Sequence, residues 1–262
     1  AVTTQWFSVY LAGRPEPDWA TLDAEGVELL AVHRHRRKLR RGALRANRFR
    51  LRIGALDADK GLVEERLRRI RKLGVPNYFG PQRFGHDEGN LFAARALFAG
   101  EVRRAGRHLQ GLWLSAARSQ MFNEVLAARV DRGDWDRPLV GDRMQLAGSR
   151  SHFLAEEVDE ALLARTREFD VHPSGPLWGA GEILTGGEAA VIERGVADRF
   201  PDWAMGLARA GLRQERRPLR VVAAGLESSL SGEVLELAFE LPAGAYATAL
   251  LRELLDWSEP RS

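Results

Sequence analysis

A basic segment, residues 34–52, holds the side chains whose type and spacing best suit chemistry with another molecule. It contains ten arginines or lysines, nine of them arginines, and no acidic residue. The remaining 243 residues carry 29 basic and 36 acidic side chains, so the net charge of +3 is concentrated in this segment. The arginine guanidinium is planar, offers a fork of donors that matches phosphate, and stacks on bases. We therefore predict contact with nucleic acid, with a solvated charged loop as the alternative.

Several other chemistries are excluded by composition and motifs. The chain has no cysteine, which removes thiolate nucleophiles, disulfides and cysteine-ligated zinc. His33 and His35 would share a strand face, but no third ligand stands at useful spacing, so no metal is expected. Phosphate-loop, dinucleotide-binding and nucleophile-elbow motifs are missing, so no cofactor is expected. No apolar run approaches the ~20 residues that span a bilayer, and we expect no membrane association and a cytoplasmic location.

The end of the basic segment has the alternation of a half-exposed strand. Over residues 47–53 the pattern places Asn47 and Phe49 on one sheet face with the apolar side chains, and three arginines on the other. Taken alone, the pattern favours a core position for Phe49.

The rest of the chain divides into strand-rich ends and a helical middle. Asp57 or Asp59 is expected to cap a helix whose apolar stripe runs to Leu73 and which Gly74 ends. Further helices are predicted over residues 90–99, 112–130, 156–169, 188–200, 202–212 and 245–257. Strands are predicted over residues 2–11, 27–32, 219–226 and 234–241, and a turn-rich joint over residues 170–176. This order predicts an α+β protein whose two ends build one sheet, with the middle inserted as a second domain beside a cleft.

Two parts of the predicted middle carry polar groups that could face the cleft. Residues 74–85 read Gly-Val-Pro-Asn-Tyr-Phe-Gly-Pro-Gln-Arg-Phe-Gly, a compact turn in which Asn77, Gln82 and Arg83 supply donors. An architectural hinge and RNA contact are both compatible with this turn. On the predicted helix from Leu112, Arg118 lies on a polar edge, for which RNA contact and hydrogen bonding to a neighbouring helix stay alternatives.

Residues 74–85 and five further blocks resemble the signature of the TruD-type tRNA pseudouridine synthases. The other blocks follow in family order: Ala1-Val2-Thr3-Thr4-Gln5-Trp6, Arg36-Arg37-Lys38-Leu39-Arg40-Arg41-Gly42-Ala43-Leu44, Asn47-Arg48-Phe49, Leu114-Ser115-Ala116-Ala117-Arg118-Ser119 with Phe122-Asn123, and Leu241-Pro242-Ala243-Gly244-Ala245-Tyr246-Ala247-Thr248. The resemblance implies a pseudouridine-synthase catalytic domain with a mixed, mainly antiparallel sheet in residues 1–73 and 218–262. A largely helical TruD-type insertion domain in residues 74–217 would interrupt it.

The same resemblance implies an activity and a set of site residues. The activity is isomerisation of uridine 13 of tRNA to pseudouridine, with tRNA as partner, no metal or cofactor, and no obligate protein partner. The substrate-binding residues would be Gln5, Asn47, Phe49, Asn77, Gln82 and Arg83, with the Phe49 ring against the target uracil. The RNA-binding residues would be Arg34, Arg36, Arg37, Lys38, Arg40, Arg41, Arg45 and Arg118.

The catalytic aspartate of the family stands in a Gly-x-Lys-Asp sequence that leads into Ala-Val-Thr, which places it three residues before Ala1. No aspartate of the chain stands in that motif, Asp18 and Asp87 included. We therefore expect an N-terminally truncated enzyme that binds RNA without turnover. The alternatives are a non-catalytic RNA-binding protein that retains the fold, and a basic segment that contacts ribosomal RNA or an acidic protein.

Overall fold

A computed structural model describes residues 4–22, 25–39, 44–102 and 105–255. The chain divides into two compact units, residues 1–45 and residues 46–262. Among the described residues, no helix is long and apolar enough to cross a membrane.

The first unit contains little regular structure among its described residues. Trp19–Thr21 form a short 3-10 helix. The strands predicted over residues 2–11 and 27–32 are wrong for the described positions, where Val27 alone makes a bridge. Both segments contain apolar residues, but apolar side chains there are exposed, with Phe7 at 78% and Tyr10 at 90%. A strand needs a neighbour to accept and donate its backbone hydrogen bonds, and no ladder of the described residues joins these segments.

A three-stranded antiparallel sheet organises part of the second unit. Its strands are β1 (Ala46–Ile53), β8 (Ala224–Ser231) and β9 (Val234–Pro242), in the order β1-β9-β8. Two helices, α1 (Lys60–Leu73) and α7 (Ala247–Leu254), pack their apolar side chains against one face of the sheet. The alternation predicted for residues 47–53 is confirmed, because the arginines of β1 are exposed and the residues between them are half-buried.

The ends of α1 follow from residues next to it. The carboxylate of Asp59 accepts a hydrogen bond from the backbone N–H of Gly61 at 2.7 Å, which satisfies a free donor of the first turn. Gly74 ends the helix with a φ of 74°, and a Cβ there would lie 2.7 Å from the carbonyl oxygen of Val221. The chain therefore leaves α1 directly into the short strand β2 (Val75–Pro76), which pairs with β7 (Arg220–Val221).

The middle of the chain is largely helical, as predicted. Its helices are α2 (Gly89–Phe98), α3 (Arg107–Asp131), α4 (Glu160–Arg167), α5 (Gly187–Arg199) and α6 (Pro201–Arg209). Their shared core contains the fully buried Met121, Phe122 and Leu126 of α3 together with Trp203 and Leu207 of α6. The long helix α3 is thus the element around which this region packs.

A second, four-stranded sheet in the middle of the chain was missed by the sequence analysis. Its strands are β3 (Arg143–Leu146), β4 (His152–Leu154), β5 (Val171–Leu177) and β6 (Glu215–Pro218), in the order β4-β3-β5-β6. The prediction of a joint over residues 170–176 is wrong because two prolines and a glycine resemble a turn. Residues 171–173 pair with β3 and residues 174–177 with β6, so each proline has a strand on one side only, where a missing N–H is tolerated.

The two regions have separate hydrophobic cores. One core draws its buried residues from positions 63–75 and 221–254, and the other from positions 79–219. All strand pairs of the described residues are antiparallel, apart from an isolated parallel bridge between Ala180 and Arg213. The predicted α+β class with mainly antiparallel sheets is confirmed.

Candidate RNA-binding and active site

Asn47 and Phe49 lie on β1 with their side chains on the same face. In the sheet they stand opposite Leu241 and Phe239 of β9. The Phe49 ring stacks on the Phe239 ring with 5.4 Å between centroids and an interplanar angle of 24°. Phe49 and Asn47 are both half-buried, whereas Phe239 is buried. The sheet therefore holds the Phe49 ring in one orientation while leaving part of its surface open.

The opposite face of β1 carries three arginines whose charges are partly balanced. Arg48 pairs with Glu240 at 2.6 Å, and Arg52 approaches Glu236 at 3.8 Å. Arg50 stands opposite Ala238, and no carboxylate of the described residues forms an ion pair with it. These ion pairs could not be predicted from the sequence, because they depend on the register between strands that are far apart in the chain.

The segment that follows α1 is fixed by Asn77. Its side-chain amide donates to the carbonyl oxygen of Pro218 at 2.8 Å, and its backbone N–H donates to the carbonyl oxygen of Leu219 at 2.8 Å. The side-chain oxygen of Asn77 accepts from Nη2 of Arg217 at 2.6 Å. Asn77 is buried and all these contacts are internal, so a substrate-binding role for Asn77 stays a prediction.

Arg83 projects from a short 3-10 helix, Pro81–Arg83, toward two other elements. Its Nε donates to the Tyr246 hydroxyl at 3.1 Å, and its Nη1 donates to the Ser115 hydroxyl of α3 at 3.1 Å. The guanidinium carbon also lies 5.4 Å from the centroid of the Phe79 ring. Gln82 is exposed beside it. Arg83 therefore connects the turn, α3 and the residue before α7.

Two side chains of the polar edge of α3 are used within the protein. Asn123 accepts a hydrogen bond from the backbone N–H of Phe79 at 2.9 Å and donates to its carbonyl oxygen at 3.1 Å. Arg118 donates to the carbonyl oxygens of Leu177, at 2.8 Å, and Arg213, and pairs with Glu215 at 3.2 Å. Burial lowers the pKa of Arg118, and the Glu215 carboxylate opposes that shift.

These contacts bear on the alternatives left open for the polar edge of α3. Arg118 joins α3 to strands β5 and β6, so the hydrogen-bonded alternative is realised with strands instead of a helix. Its side chain is 14% exposed. RNA contact by Arg118 stays a prediction.

The basic segment lies mostly in the first unit. Arg34 donates from Nε to a carboxylate oxygen of Glu16 at 2.7 Å, and this hydrogen bond, with one from Trp19, holds the pKa of Glu16 below its ordinary value. Four other basic residues of the predicted RNA-binding set are exposed and form no ion pair with the described residues: Arg36, Arg37, Lys38 and Arg45. Gln5 is exposed as well. Arg40 and Arg41 lie outside the described residues.

Arg217, which contacts the predicted site residue Asn77, was not itself predicted. Its guanidinium carbon lies 4.0 Å from the centroid of the Phe79 ring, and it donates to Asn77 and to the carbonyl oxygen of Gly244 at 3.1 Å. Burial lowers the pKa of Arg217 to about 10. The sequence offers a weak signal for Arg217. Adjacent residues of a strand point to opposite faces, so the two guanidiniums of the Arg216-Arg217 pair have different surroundings.

A metal centre has no support in the described part of the chain. No group of three or more His, Cys, Asp or Glu side chains within it is arranged to hold a metal ion.

The fold and the sequence both match known tRNA-modifying proteins. A structure assigned to tRNA pseudouridine synthase D (TruD) of Methanosarcina mazei superposes with a TM-score of 0.63, covering 90% of this chain and 74% of that chain at 19% identity. The two chains therefore share a fold. The family model "tRNA pseudouridine synthase D (TruD)" matches residues 1–109 and 98–254, and the chain belongs to this family.

Two relatives show how far the similarity extends. The tRNA pseudouridine synthase D of Nitrosococcus oceani is 49% identical over 261 residues, which cover 98% of this chain and 73% of the relative. The tRNA pseudouridine synthase D of Methylococcus capsulatus is 46% identical over 258 residues, with the same coverage of 98% and 73%. The resemblance inferred from six sequence blocks is therefore confirmed as family membership.

Proposed function

We propose that this protein acts on tRNA and isomerises uridine 13 to pseudouridine without a metal or cofactor. Family membership over nearly the whole chain supports the reaction class. The observation that carries the proposal to particular residues is the pair Asn47 and Phe49, held on one face of β1 with the Phe49 ring half-open and stacked on Phe239.

The reaction sets the tasks of these side chains. The bond from ribose C1′ to uracil N1 breaks, the base turns, and a bond forms from C1′ to uracil C5. C5 then loses its proton and N1 gains one, so there is no net oxidation or reduction. The detached base must be held while it turns, and an aromatic face contributes on the order of 1 to 3 kcal/mol by stacking. The Asn47 amide can accept from the uracil N3–H and donate to a uracil carbonyl, which identifies uracil by its edge.

The tRNA backbone is assigned to the exposed basic residues. Arg36, Arg37 and Lys38 have no carboxylate partner among the described residues, and neither does Arg50 on β1. Each phosphate that such a residue neutralises adds about 0.7 to 0.9 to the slope of log affinity against log salt. We expect a steep loss of tRNA binding between low and physiological salt.

The domain organisation that we propose assigns residues 1–73 and 218–262 to a catalytic domain and residues 74–217 to an insertion domain. The two separate hydrophobic cores support this division, because one is built from positions 63–75 and 221–254 and the other from positions 79–219. Limited proteolysis tests it, since protected fragments that cross position 73 without a cut would contradict the boundary.

Residues 1–262 by themselves are proposed to bind tRNA without turnover. No aspartate of this sequence follows a lysine, so none stands in the family's Gly-x-Lys-Asp motif. Asp59 is used as the cap of α1, and Asp87 forms a 2.8 Å pair with His86. The alternative is a non-catalytic RNA-binding protein that retains the fold.

The test maps pseudouridine in a tRNA transcript after incubation with residues 1–262, and with a chain extended at Ala1 by a segment that carries Gly-x-Lys-Asp. We expect turnover at position 13 from the extended chain alone. Phe49→Ala and Asn47→Ala should abolish turnover in it, while Phe153→Ala, on the separate four-stranded sheet, serves as a matched control. Turnover by residues 1–262 alone would refute the inactivity proposal, and an extended chain that binds tRNA without turnover would favour the binding protein.

A further inference from the structure

Two arginines from distant parts of the chain meet at one aromatic ring. The guanidinium carbons of Arg83 and Arg217 lie 5.4 Å and 4.0 Å from the centroid of Phe79. Phe79 is itself packed edge-on against Phe122 of α3, with 5.5 Å between centroids at 86°. Both positive charges therefore rest on a fixed aromatic platform, which holds cations and stacks guanidinium planes.

Neither arginine has an acidic partner. The acceptors of Arg217 are the carbonyl and side-chain oxygens of Asn77 and the carbonyl oxygen of Gly244, and those of Arg83 are the hydroxyls of Tyr246 and Ser115. Within the described residues, no carboxylate oxygen lies within 4.0 Å of either guanidinium.

Other buried arginines of the same region are treated differently. Arg129 pairs with Asp134 and Asp142, and Arg216 pairs with Glu193, because a buried charge without a counter-charge is destabilising. Arg220 also lacks a carboxylate partner, but at 3% exposure it is out of reach of a ligand. Arg83 and Arg217 are half-buried, so part of each residue is exposed to solvent, in contrast to Arg220.

Unused donors point to the missing partner. A guanidinium has five N–H groups, and neither hydrogen of Arg83 Nη2 has an acceptor among the described residues. The Thr248 hydroxyl nearby is buried and has no hydrogen-bond partner. Gly80 packs closely against it, because a Cβ there would lie 2.6 Å from the Thr248 hydroxyl and 3.0 Å from the Tyr246 ring. The surroundings thus supply donors, and the described residues supply no anion.

The site lies at the end of the sheet that holds Asn47. Leu241 of β9 stands opposite Asn47, and the chain continues from there to Gly244, whose carbonyl oxygen accepts from Arg217. Residues 243–244 form a turn, and three residues span at most about 10 Å. A nucleotide bound at Asn47 and Phe49 would therefore bring neighbouring phosphates toward the two arginines.

We propose that Arg83 and Arg217 together bind one phosphate group of the tRNA backbone close to the target uridine. The donor forks of two guanidiniums match the oxygens of a phosphodiester, and its charge supplies the anion that the protein does not provide. Burial and the neighbouring Arg83 lower the pKa of Arg217 to about 10, so the Arg217 side chain remains charged at neutral pH. This assignment rests on tRNA being the substrate.

The experiment measures the dissociation constant for a tRNA transcript as a function of salt, for the unaltered chain and three variants. Arg83→Gln and Arg217→Gln each remove one charge from the site. Arg199→Gln is the matched control, because Arg199 also lies over an aromatic ring, at 5.9 Å, but pairs with Glu124 at 2.9 Å. We expect each site variant to bind about 10-fold more weakly at low salt and to lower the salt slope by about 1, with the control unchanged.

Every result decides one of the two proposals. If the unaltered chain binds tRNA with a steep salt slope and Arg83→Gln keeps that slope, the phosphate assignment is wrong while the tRNA substrate stands. If the unaltered chain shows no salt-dependent tRNA binding, the proposed substrate is wrong. Should thermal melting show that Arg217→Gln does not fold, Arg83→Gln alone decides, since its two protein contacts are to hydroxyls that water can replace.

Discussion

The pair of His172 and Arg220 predicts how the stability of this protein depends on pH. Nε and Nη2 of Arg220 lie 3.0 Å and 2.9 Å from Nδ1 of His172. Because a guanidinium can only donate, Nδ1 must be the unprotonated acceptor, and a second proton on the ring would break both contacts. Burial and the Arg220 charge together lower the pKa of His172 to about 4, and Asp170 opposes them.

The sign and size follow from the proton count of each state. The ordinary pKa of 6.5 applies to the unfolded chain, so below it the unfolded state binds a proton that the folded state binds only near pH 4. Stability is therefore complete above pH 6.5 and declines as the pH falls toward 4. The full loss is about 3 kcal/mol, and the part between pH 7 and pH 5 is about 2 kcal/mol.

The assay is urea unfolding at pH 7, 6 and 5, followed by tryptophan fluorescence, on the unaltered protein and on His172→Gln. The glutamine oxygen can accept from Arg220 but does not titrate, so subtracting the two pH profiles removes the other ionisable groups. We expect the unaltered protein to lose about 2 kcal/mol more than the variant between pH 7 and pH 5. Parallel profiles for the two proteins would refute the reasoning.

Four further substitutions, in two matched pairs, test the packing. Gly141→Ala should prevent folding, since its Cβ would lie 2.1 Å from a backbone oxygen, whereas Gly148→Ala, with a φ of 67° and no atom within 4 Å, should cost about 1 kcal/mol of strain; circular dichroism and melting of both variants measure this. Glu193→Ala should destabilise by about 3 to 5 kcal/mol because it leaves the buried Arg216 charge alone. Glu188→Ala, which breaks an exposed pair, should cost less than about 1 kcal/mol in the same urea unfolding measurement. Equal losses of stability for Gly141→Ala and Gly148→Ala would contradict the predicted steric clash. Equal losses for Glu193→Ala and Glu188→Ala would contradict the predicted effect of burying the ion pair.

Elements specified by local pattern were predictable from the sequence. The strand over Ala46–Ile53 follows from strict alternation, and α1 from an apolar stripe bounded by Asp59 and Gly74. Neither needs information from elsewhere in the chain. The predicted boundaries of α3 were less accurate, since the helix begins at Arg107, five residues before its predicted start at Leu112.

Elements specified by distant partners were not predictable in the same way. The strand β5 contains Pro173 and Pro176 and is stable because it changes its hydrogen-bonding partner between them, from β3 to β6. Residues 4–11 show the opposite failure, since a strand-like composition without a paired neighbour gives no strand in the described part of the chain. Composition reports what a segment tolerates, and pairing decides what it adopts.

The site was predicted in part for the same reason. Asn47 and Phe49 follow from the alternation of β1 and from the family resemblance, and the structure places both on one face. The partners of Arg118 could not be foreseen, because the carbonyl of Leu177 and the Glu215 carboxylate belong to strands that were not predicted. Arg217 was not predicted, because its proposed contact with phosphate depends on the lack of a carboxylate partner among the described residues. The sequence alone does not show that lack.

The two interpretations of residues 74–85, hinge and RNA contact, use the same interactions. Asn123 forms hydrogen bonds with the backbone N–H and carbonyl oxygen of Phe79. The guanidinium of Arg217 packs on the Phe79 ring and donates to Asn77. Arg83 is oriented by Tyr246, which precedes α7 on the other side of the joint. Because these bonds hold residues 74–85 in place, they also orient the guanidiniums of Arg83 and Arg217 in the absence of a ligand. A preorganised pair of this kind loses little conformational entropy on binding, so under the phosphate-binding proposal the rigidity of residues 74–85 would add to RNA affinity.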